Sequence, residues 1–520
     1  MRLVEYLADS FAGPQGCRLD SCVLFHVTSD TLKRPRLCFF IGPVVVIDDI
    51  RFDADQPLQL QLYRQLADRI LAQRYPPGHR LPSSRQMAED LGVSRNTVNA
   101  VYDQLKAEGF LQSQAGRGVF VHEDIGSAIE PAGKKLQIPS GGSFRLPSLP
   151  DRVHGTPRRA EDACLPFQPG LPDLDAFPVN TWNRVLHHQE SRRGLRGYDS
   201  TQGYLPLRTA IADYLRTSRG VRCHADQIVI TNGAQQALSL LADVFLSPGD
   251  RVLSENPGYR GARNALGRLG NPLVPIPLKN QVLDVTALPH LGSARLLFCT
   301  PTHQYPMGGI LDLSQRMALV QWARQNDCWI VEDDYDSEFH FFNKPFAAVQ
   351  GMFDNAPVLY VGSFSKTLLP ALRVGYVVLP EEVVEPVLWA KQVSGGETPL
   401  LIQATIAEFM ERGQFVRHVR RMRQLYRDKW QYFQDAVQRK LGDLVHPVAE
   451  SAGMHLVLEG RFDDSALSGW LRKQGFGSTP LSAHYIGDTA SSGLVMGFAS
   501  ASEREMEDCV SILRSALTRM

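Results

Sequence analysis

Apolar residues follow two rhythms along this chain. Between Pro57 and Gln73 they recur at helical spacing, with Leu62, Leu66, Ile70 and Leu71 on one face. Pro76-Pro77-Gly78 stops that helix. A short helix opens at Leu81-Pro-Ser-Ser-Arg85, with Ser83 as N-cap and Met87, Ala88 and Leu91 apolar. Gly92 breaks it, and Val93-Ser94 starts a third helix with Val98, Val101, Tyr102 and Leu105 inward. Phe110–Val121 then reads as a hairpin with an Ala-Gly-Arg-Gly tip. Helix, tight glycine turn, helix and hairpin predict a winged helix-turn-helix over residues 51–122. Further on the rhythm changes. Apolar runs at Val358–Val361 and Val374–Leu379 predict buried parallel strands, and those at Ile228–Ile230 and Cys328–Val331 predict further strands, of an α/β domain over residues 163–520. Long Arg-rich helices at Phe415–Leu441 and strands near Met454–Leu458 and Leu494–Phe498 predict a small C-terminal α/β lobe.

Residues 123–162 show no sustained period. Pro131, Pro139, Gly141-Gly142, Pro147, Pro150 and Pro157 predict an extended linker. Residues 1–50 lack turn and cap chemistry. Their apolar run Leu37–Ile47 follows Lys33, Arg34 and Arg36, is broken by Gly42-Pro43, and is too short to span a bilayer. The charged segment before it is too long for a signal peptide. The expectation is a reading-frame extension of doubtful authenticity, the working protein starting near Val44–Val46. An unusual β-rich extension is the alternative.

Composition adds bounds. A chain of 520 residues predicts two or three domains. Lys+Arg and Asp+Glu both number 55, so any basic surface for nucleic acid has to be local. Eight cysteines without C-x-x-C pairs or metal-ligand spacing predict reduced thiols, a cytoplasmic protein and no metal site.

Candidate chemistry concentrates at Val358–Leu379. Between its two strands lie Ser363, Ser365, Lys366 and Arg373. A lysine beyond the carboxyl end of a buried strand stands where open α/β sheets present ligand-binding groups. Two hydroxyls and an arginine beside it suit a phosphate. The combination points to pyridoxal 5'-phosphate (PLP), held on Lys366 as a Schiff base. Ser-x-Lys alone is more often an ordinary surface turn, so the upstream pieces decide. Cys328–Tyr335 is a strand ending in acids. Asp333, or alternatively Asp334, supplies the carboxylate that a pyridine nitrogen needs, because only one of the pair faces the ring. Tyr335 then lies on the side of Asp333 and donates to the ring's 3-oxygen. Gly233-Ala234-Gln235 follows a strand and opens a helix, whose free N–H groups bind phosphate. Tyr259 in Ser254-Glu-Asn-Pro-Gly-Tyr is placed to stack on the ring.

The N-terminal polar residues have a pattern of their own. Ser94, Arg95, Asn96 and Thr97 open the third helix, where base edges are read. Ser83, Ser84, Arg80, Arg85 and Arg117 flank them and suit phosphates. Ser94 serving only as an N-cap, above a solvated helix face, is the plainer reading.

Four elements, Thr231-Asn-Gly-Ala-Gln, Ser254–Tyr259, Glu332-Asp-Asp-Tyr and Ser363–Arg373, resemble in order and spacing the fold-type-I aminotransferases from about Phe167 onward. The set P-x-G-x-R-L-P-S-S-R, L-G-V-S-R-N-T-V and A-G-R-G-V-F-V resembles the winged helix of GntR-type regulators. Together they resemble the MocR-like subfamily. That resemblance implies a transcriptional regulator, a head-to-tail homodimer that reads operator DNA, holds PLP and answers to PLP or a small amine. The alternative is a working aminotransferase with a DNA-binding appendage. The resemblance also implies that Tyr198 reaches the PLP phosphate of the other subunit.

Two departures stand out. Tyr305 replaces the usual Asn before Pro306, so His303 or Gln304 has to serve the ring oxygen. The late strand Leu494-Val-Met-Gly-Phe498 carries Val495 where the resemblance implies a carboxylate-binding arginine. Arg260 or Arg263 is the available substitute. The resulting expectation is that PLP level itself is the signal, with vitamin B6 supply the regulated process.

Overall fold

The computed structural model describes residues 50–53, 56–125, 164–341, 347–448, 452–488 and 491–519. The expected extension and linker lie, apart from their edges, outside the described residues. The chain divides into two compact units, Met1–Leu146 and Pro147–Met520.

In the first unit, helix α1 (Leu58–Leu71) buries Leu62, Leu66, Ala67 and Ile70. Helix α2 (Ser84–Leu91) starts where Ser83 Oγ accepts from the Gln86 N–H at 3.2 Å. It ends at Gly92, whose φ of 65° is the left-handed conformation that only glycine adopts cheaply. Helix α3 (Arg95–Ala107) is capped by Ser94 and turns Val98, Val101, Tyr102 and Leu105 inward. Strands β1 (Arg80–Leu81), β2 (Leu111–Gln114) and β3 (Gly118–Val121) form an antiparallel sheet in the order β1-β3-β2. The wing predicted from the sequence is the β2–β3 hairpin. Ile50 and Phe52 also pack on this core, and the Gln61 amide binds the backbone of Asp53 and Gln56.

The second unit centres on an eight-stranded sheet. Its strands are β4 (Ile228–Thr231), β5 (Val252–Asn256), β6 (Leu273–Lys279), β7 (Val282–Leu283), β8 (Leu296–Cys299), β9 (Trp329–Asp334), β10 (Val358–Ser363) and β11 (Gly375–Val378). Their order is β4-β11-β10-β9-β8-β5-β6-β7. The stretch from β10 to β6 is parallel, as the apolar run of β10 predicts for that strand. Alternate residues serve opposite faces. Leu359 and Val361 pack with the helix Ala234–Phe245, whereas Tyr360 packs with the helix Leu205–Arg219. The expected parallel strand at Val374–Leu379 is a correction: β11 is antiparallel to both β10 and β4. Residues 364–374 separate β10 from β11, with the short turn Pro370–Leu372 as their one regular element, whereas a parallel return usually requires a crossover of about a dozen residues or more, most often through a helix.

The C-terminal lobe packs the helices Gln414–Leu441, Asp464–Lys473 and Glu503–Leu517 on strands β12 (His446–Pro447), β13 (His455–Glu459), β14 (Thr479–Pro480) and β15 (Gly493–Gly497). Buried Phe167 bridges to Gly497 in β15, which leads Gln168–Leu171 past the end of the sheet toward Lys366.

Candidate functional site

The carboxyl ends of β9 and β10 open into a cavity of about 550 Å³. Such strand ends are where open α/β sheets place ligands. Lys366, in the turn after β10, lines it and donates from Nζ to the Gly170 carbonyl at 2.6 Å. Gly170 has φ 76°, and a Cβ there would lie 2.2 Å from Nζ, so the strap passes this close only as glycine.

One wall forms an anion cradle. The helix Ala234–Phe245 starts at Gly233, with Ala234 and Gln235 in the cavity lining. Arg373 crosses its N-terminus. The guanidinium donates to the Asn232 carbonyl at 2.9 Å and lies 3.5 Å from where a Gly233 Cβ would stand. Ser363 and Ser365 complete the wall, with Ser363 Oγ donating to Ser365 Oγ at 3.0 Å and accepting from the Ser365 N–H. Helix dipole, arginine and hydroxyls all favour negative charge.

Opposite stands the acidic strand end. Asp333 lines the cavity, and Asp334 faces the other way into a buried pair with Arg219 at 2.8 Å and a bond from the Tyr360 hydroxyl. Side-chain alternation thus separates the two candidates, and Asp333 is the one at the cavity. Burial, then the neighbouring Asp334 charge, pushes Asp333 up to about 7, against the pull of Lys366. Burial also works upward on Asp334, but Arg219 and Tyr360 hold it below the usual carboxylate range. A buried carboxyl raised in this way favours a cation against it. Amine, anion cradle and buried carboxylate therefore fit PLP: Lys366 for the aldehyde, the cradle for the phosphate, Asp333 for the ring nitrogen.

Tyr335 and Tyr259 line the cavity, and both meet Tyr305 edge-on, at 5.6 and 5.8 Å between centroids. His303 corrects the sequence reading. It sits behind Tyr335, with Nδ1 2.8 Å from the Tyr335 hydroxyl and 2.9 Å from Asp336, and does not line the cavity. Gln304 is turned away too, donating to the Pro257 carbonyl and accepting from the Met307 N–H to close its own loop. Tyr305 lines the cavity instead. Tyr198 is 95% exposed and does not reach the cavity of its own chain.

Of the proposed substitutes for the absent clamp, Arg263 is spent. It donates to the Tyr485 and Ala483 carbonyls, and burial lowers it to about 10. Arg260 lines the cavity. Val495 is buried with Met307, Val457 and Leu481. Sequence reasoning missed the Gln168–Leu171 strap, Met454, His455, Arg472 and His484, all in the lining. The lobe residues become neighbours of Lys366 through tertiary folding alone.

In the first unit, Arg80, Arg85, Arg95, Asn96 and Arg117 are exposed, and Ser84 and Thr97 are half-buried. Arg80 lies across the wing, with Nε 3.2 Å from where a Gly118 Cβ would stand. Arg95 Nε reaches Ser84 Oγ at 3.5 Å. The hydroxyls of Ser83 and Ser94 accept cap bonds, and Ser94 Oγ also lies 2.8 Å from Thr97 Oγ1. The capping role expected of Ser94 is therefore present, and Arg95 and Asn96 are the side chains left open at the start of α3. Among the described residues no cluster could hold a metal, and no helix is long and apolar enough to cross a membrane.

Comparison with known proteins adds two family matches. Residues 169–512 match "Aminotransferase class I and II", and residues 58–121 match "Bacterial regulatory proteins, gntR family". The chain is 39% identical to the probable rhizopine catabolism regulatory protein MocR of Rhizobium meliloti, over 89% of this chain and 94% of that one. It is 32% identical to the pyridoxine biosynthesis regulator PdxR of Corynebacterium glutamicum, over 88% and 96%. Among solved structures, the α-aminoadipate aminotransferase LysN of Thermus thermophilus, complexed with N-(5'-phosphopyridoxyl)-L-leucine, superposes with a TM-score of 0.64. That likeness, at 28% identity, covers 68% of this chain and 92% of that one.

Proposed function

The chain belongs to the class I and II aminotransferase family and, through its gntR-family domain, to the MocR-like DNA-binding transcriptional regulators; on that footing we propose that its aminotransferase-like unit is a sensor for PLP or for an amine that meets PLP there. PLP binding is a trait of the aminotransferase family. The observation that carries the proposal for this chain is the convergence of Lys366, Asp333 and Arg373 on one cavity.

In this reading each residue has a physical task. Lys366 presents its amine from a turn, steadied by the Gly170 carbonyl. Arg373, Ser363, Ser365 and the N–H groups at Ala234 and Gln235 hold the phosphate. Asp333 faces the ring nitrogen, and Tyr259 covers the ring. Tyr335, backed by His303 and Asp336, offers a hydroxyl to the ring oxygen. Bound PLP supplies an electrophilic carbon for primary amines and an electron-poor ring. In the first unit Arg95 and Asn96 read base edges, while Arg80, Arg85 and Arg117 contact phosphates.

The assembly we propose is a head-to-tail homodimer reading two half-sites, with Tyr198 reaching the partner's phosphate site. Its support is an almost fully exposed aromatic at Tyr198, together with exposed Trp389 and Val393. The test is absorbance. PLP added to the purified chain should give a visible band that Lys366→Ala abolishes, and amino acids should not release keto acid steadily. A chain with no band refutes the sensor reading, and sustained keto-acid release makes it an enzyme.

A further inference from the structure

Two parallel strands bring a histidine and a carboxylate together behind Tyr335. His303 lies in the loop after β8, and Tyr335 and Asp336 follow β9, its parallel neighbour. That loop is pinned on either side of His303. Arg219 donates to Thr302 Oγ1 at 3.1 Å, and the Gln304 amide donates to the Pro257 carbonyl at 2.9 Å. His303 and Asp336 are 3% and 2% exposed. The His303 ring stacks on Tyr335, 5.7 Å between centroids and 26° between planes. From the lobe, Gly453 approaches so closely that a Cβ there would collide with His303 Cε1. One nitrogen of this fixed ring serves two partners: Nδ1 lies 2.8 Å from the Tyr335 hydroxyl and 2.9 Å from Asp336 Oδ1.

A carboxylate only accepts, so the bond to Asp336 puts a hydrogen on Nδ1 whether or not the ring carries a second proton. Facing that hydrogen, the Tyr335 oxygen accepts and keeps its own hydrogen for another acceptor. We propose that His303 and Asp336 are positioning residues for PLP: they turn the Tyr335 hydroxyl so that it donates to the ring oxygen. The inference rests on the reading that PLP joins Lys366 with its ring oxygen at Tyr335. A hydrogen bond donated to that oxygen favours its charged form, and with it loss of the Schiff-base proton. His303 and Asp336 therefore act through Tyr335 to lower the pH at which the visible band changes. The other titratable groups beside this trio are Tyr305, edge-on to Tyr335, His455, 5.5 Å from His303 between ring centroids, and His340. Burial pushes His340 down to about 4, so it adds no charge near pH 7. Asp333 and Arg373 stay the same in every variant below, so differences between variants isolate the trio.

The test is the pH midpoint of the visible band in the PLP-loaded full chain. Tyr335→Phe should raise that midpoint by about 1–2 pH units, the worth of a hydrogen bond to a charged oxygen. His303→Phe and Asp336→Asn should each raise it by about 0.5–1 unit, because the hydroxyl stays but is no longer turned toward the ring. His303→Asn, whose amide donates in place of Nδ1, should recover part of the His303→Phe shift. Combined with Tyr335→Phe, neither His303→Phe nor Asp336→Asn should add a further shift, since both act through that hydroxyl. A ring that only fills space behind Tyr335 gives no such pattern. An unmoved midpoint in His303→Phe, or a shift that persists in the Tyr335→Phe background, overturns the proposal. Loss of the band in His303→Phe overturns it too, since positioning alone leaves PLP bound. Should His303→Phe not fold, Asp336→Asn decides by the same outcomes. All of these leave the sensor reading standing, whereas a wild-type chain that gains no band on adding PLP overturns that reading and this inference with it.

Discussion

Replacing Arg373 separates the phosphate cradle from the rest of the site. Arg373 has φ 53°, and alanine meets the same left-handed penalty, so Arg373→Ala adds no new backbone strain. What it removes is one guanidinium above the start of the helix Ala234–Phe245, together with its bond to the Asn232 carbonyl. A hydrogen bond to a charged group contributes about 1.5–3 kcal/mol, or roughly 10- to 150-fold in affinity. Arg373 is exposed in the single chain, so solvent screening favours the lower part of that range. The helix N-terminus, worth about 0.3–2 kcal/mol, remains. PLP affinity should therefore fall about tenfold to thirtyfold, read by absorbance titration. Pyridoxal, which lacks the phosphate, should bind wild type and variant alike. Equal losses for both ligands, or a PLP loss under about threefold, would refute the cradle.

Asp334→Asn leaves buried Arg219 without its charge partner and should destabilise the second unit by about 3–5 kcal/mol, read by denaturant unfolding. A loss below about 1 kcal/mol contradicts the pair's role. Asp333 carries a folded pKa raised to about 7, above its unfolded value near 4. Its contribution is present below pH about 4 and is lost as pH rises through 7, by up to about 1.4 kcal/mol per pH unit. Asp333→Asn without PLP should thus show a flatter decline between pH 4 and 7 than wild type, and parallel profiles would contradict that. Arg95→Ala should lose about 1–3 kcal/mol of DNA affinity and relax choice at one base pair. Ser94→Ala should lower the stability of the first unit by about 1 kcal/mol while base preference stays unchanged.

The parts legible in the sequence were those with local causes. Ser83, Gly92 and Ser94 set the starts and stops of α2 and α3 through contacts within a few residues. The apolar runs of β9 and β10 announce strands buried on both faces, and Asp333 and Lys366 follow directly from their carboxyl ends. The direction of β11 was not legible from its apolar run, because strands of either direction look alike when both faces are buried. Only the connection over residues 364–374, without a full crossover helix, gives it away. His303 and Gln304 were offered for the ring oxygen and lie outside the cavity lining, because a loop's sequence order does not say which side chains close the loop and which face outward. His455, Arg472 and His484 come from a lobe built far along the chain, and no local pattern ties them to Lys366. The Arg219–Asp334 pair was missed for the same reason, since its partners are joined only by packing across the sheet.

The central claim is that loading of the Lys366 cavity changes DNA binding. The direct measurement is affinity for a DNA sequence selected by the purified full chain from a random pool. It is taken at fixed salt in the stripped, PLP-loaded, and PLP-plus-amine states, the amines being a panel of amino acids and simple primary amines, for wild type and Lys366→Ala. At least one loading step should shift wild-type affinity by about fivefold or more, the range of ordinary coupling between two sites. Lys366→Ala should show the same affinity in all three states. Wild-type affinity that stays constant while the absorbance band reports full loading would contradict the account.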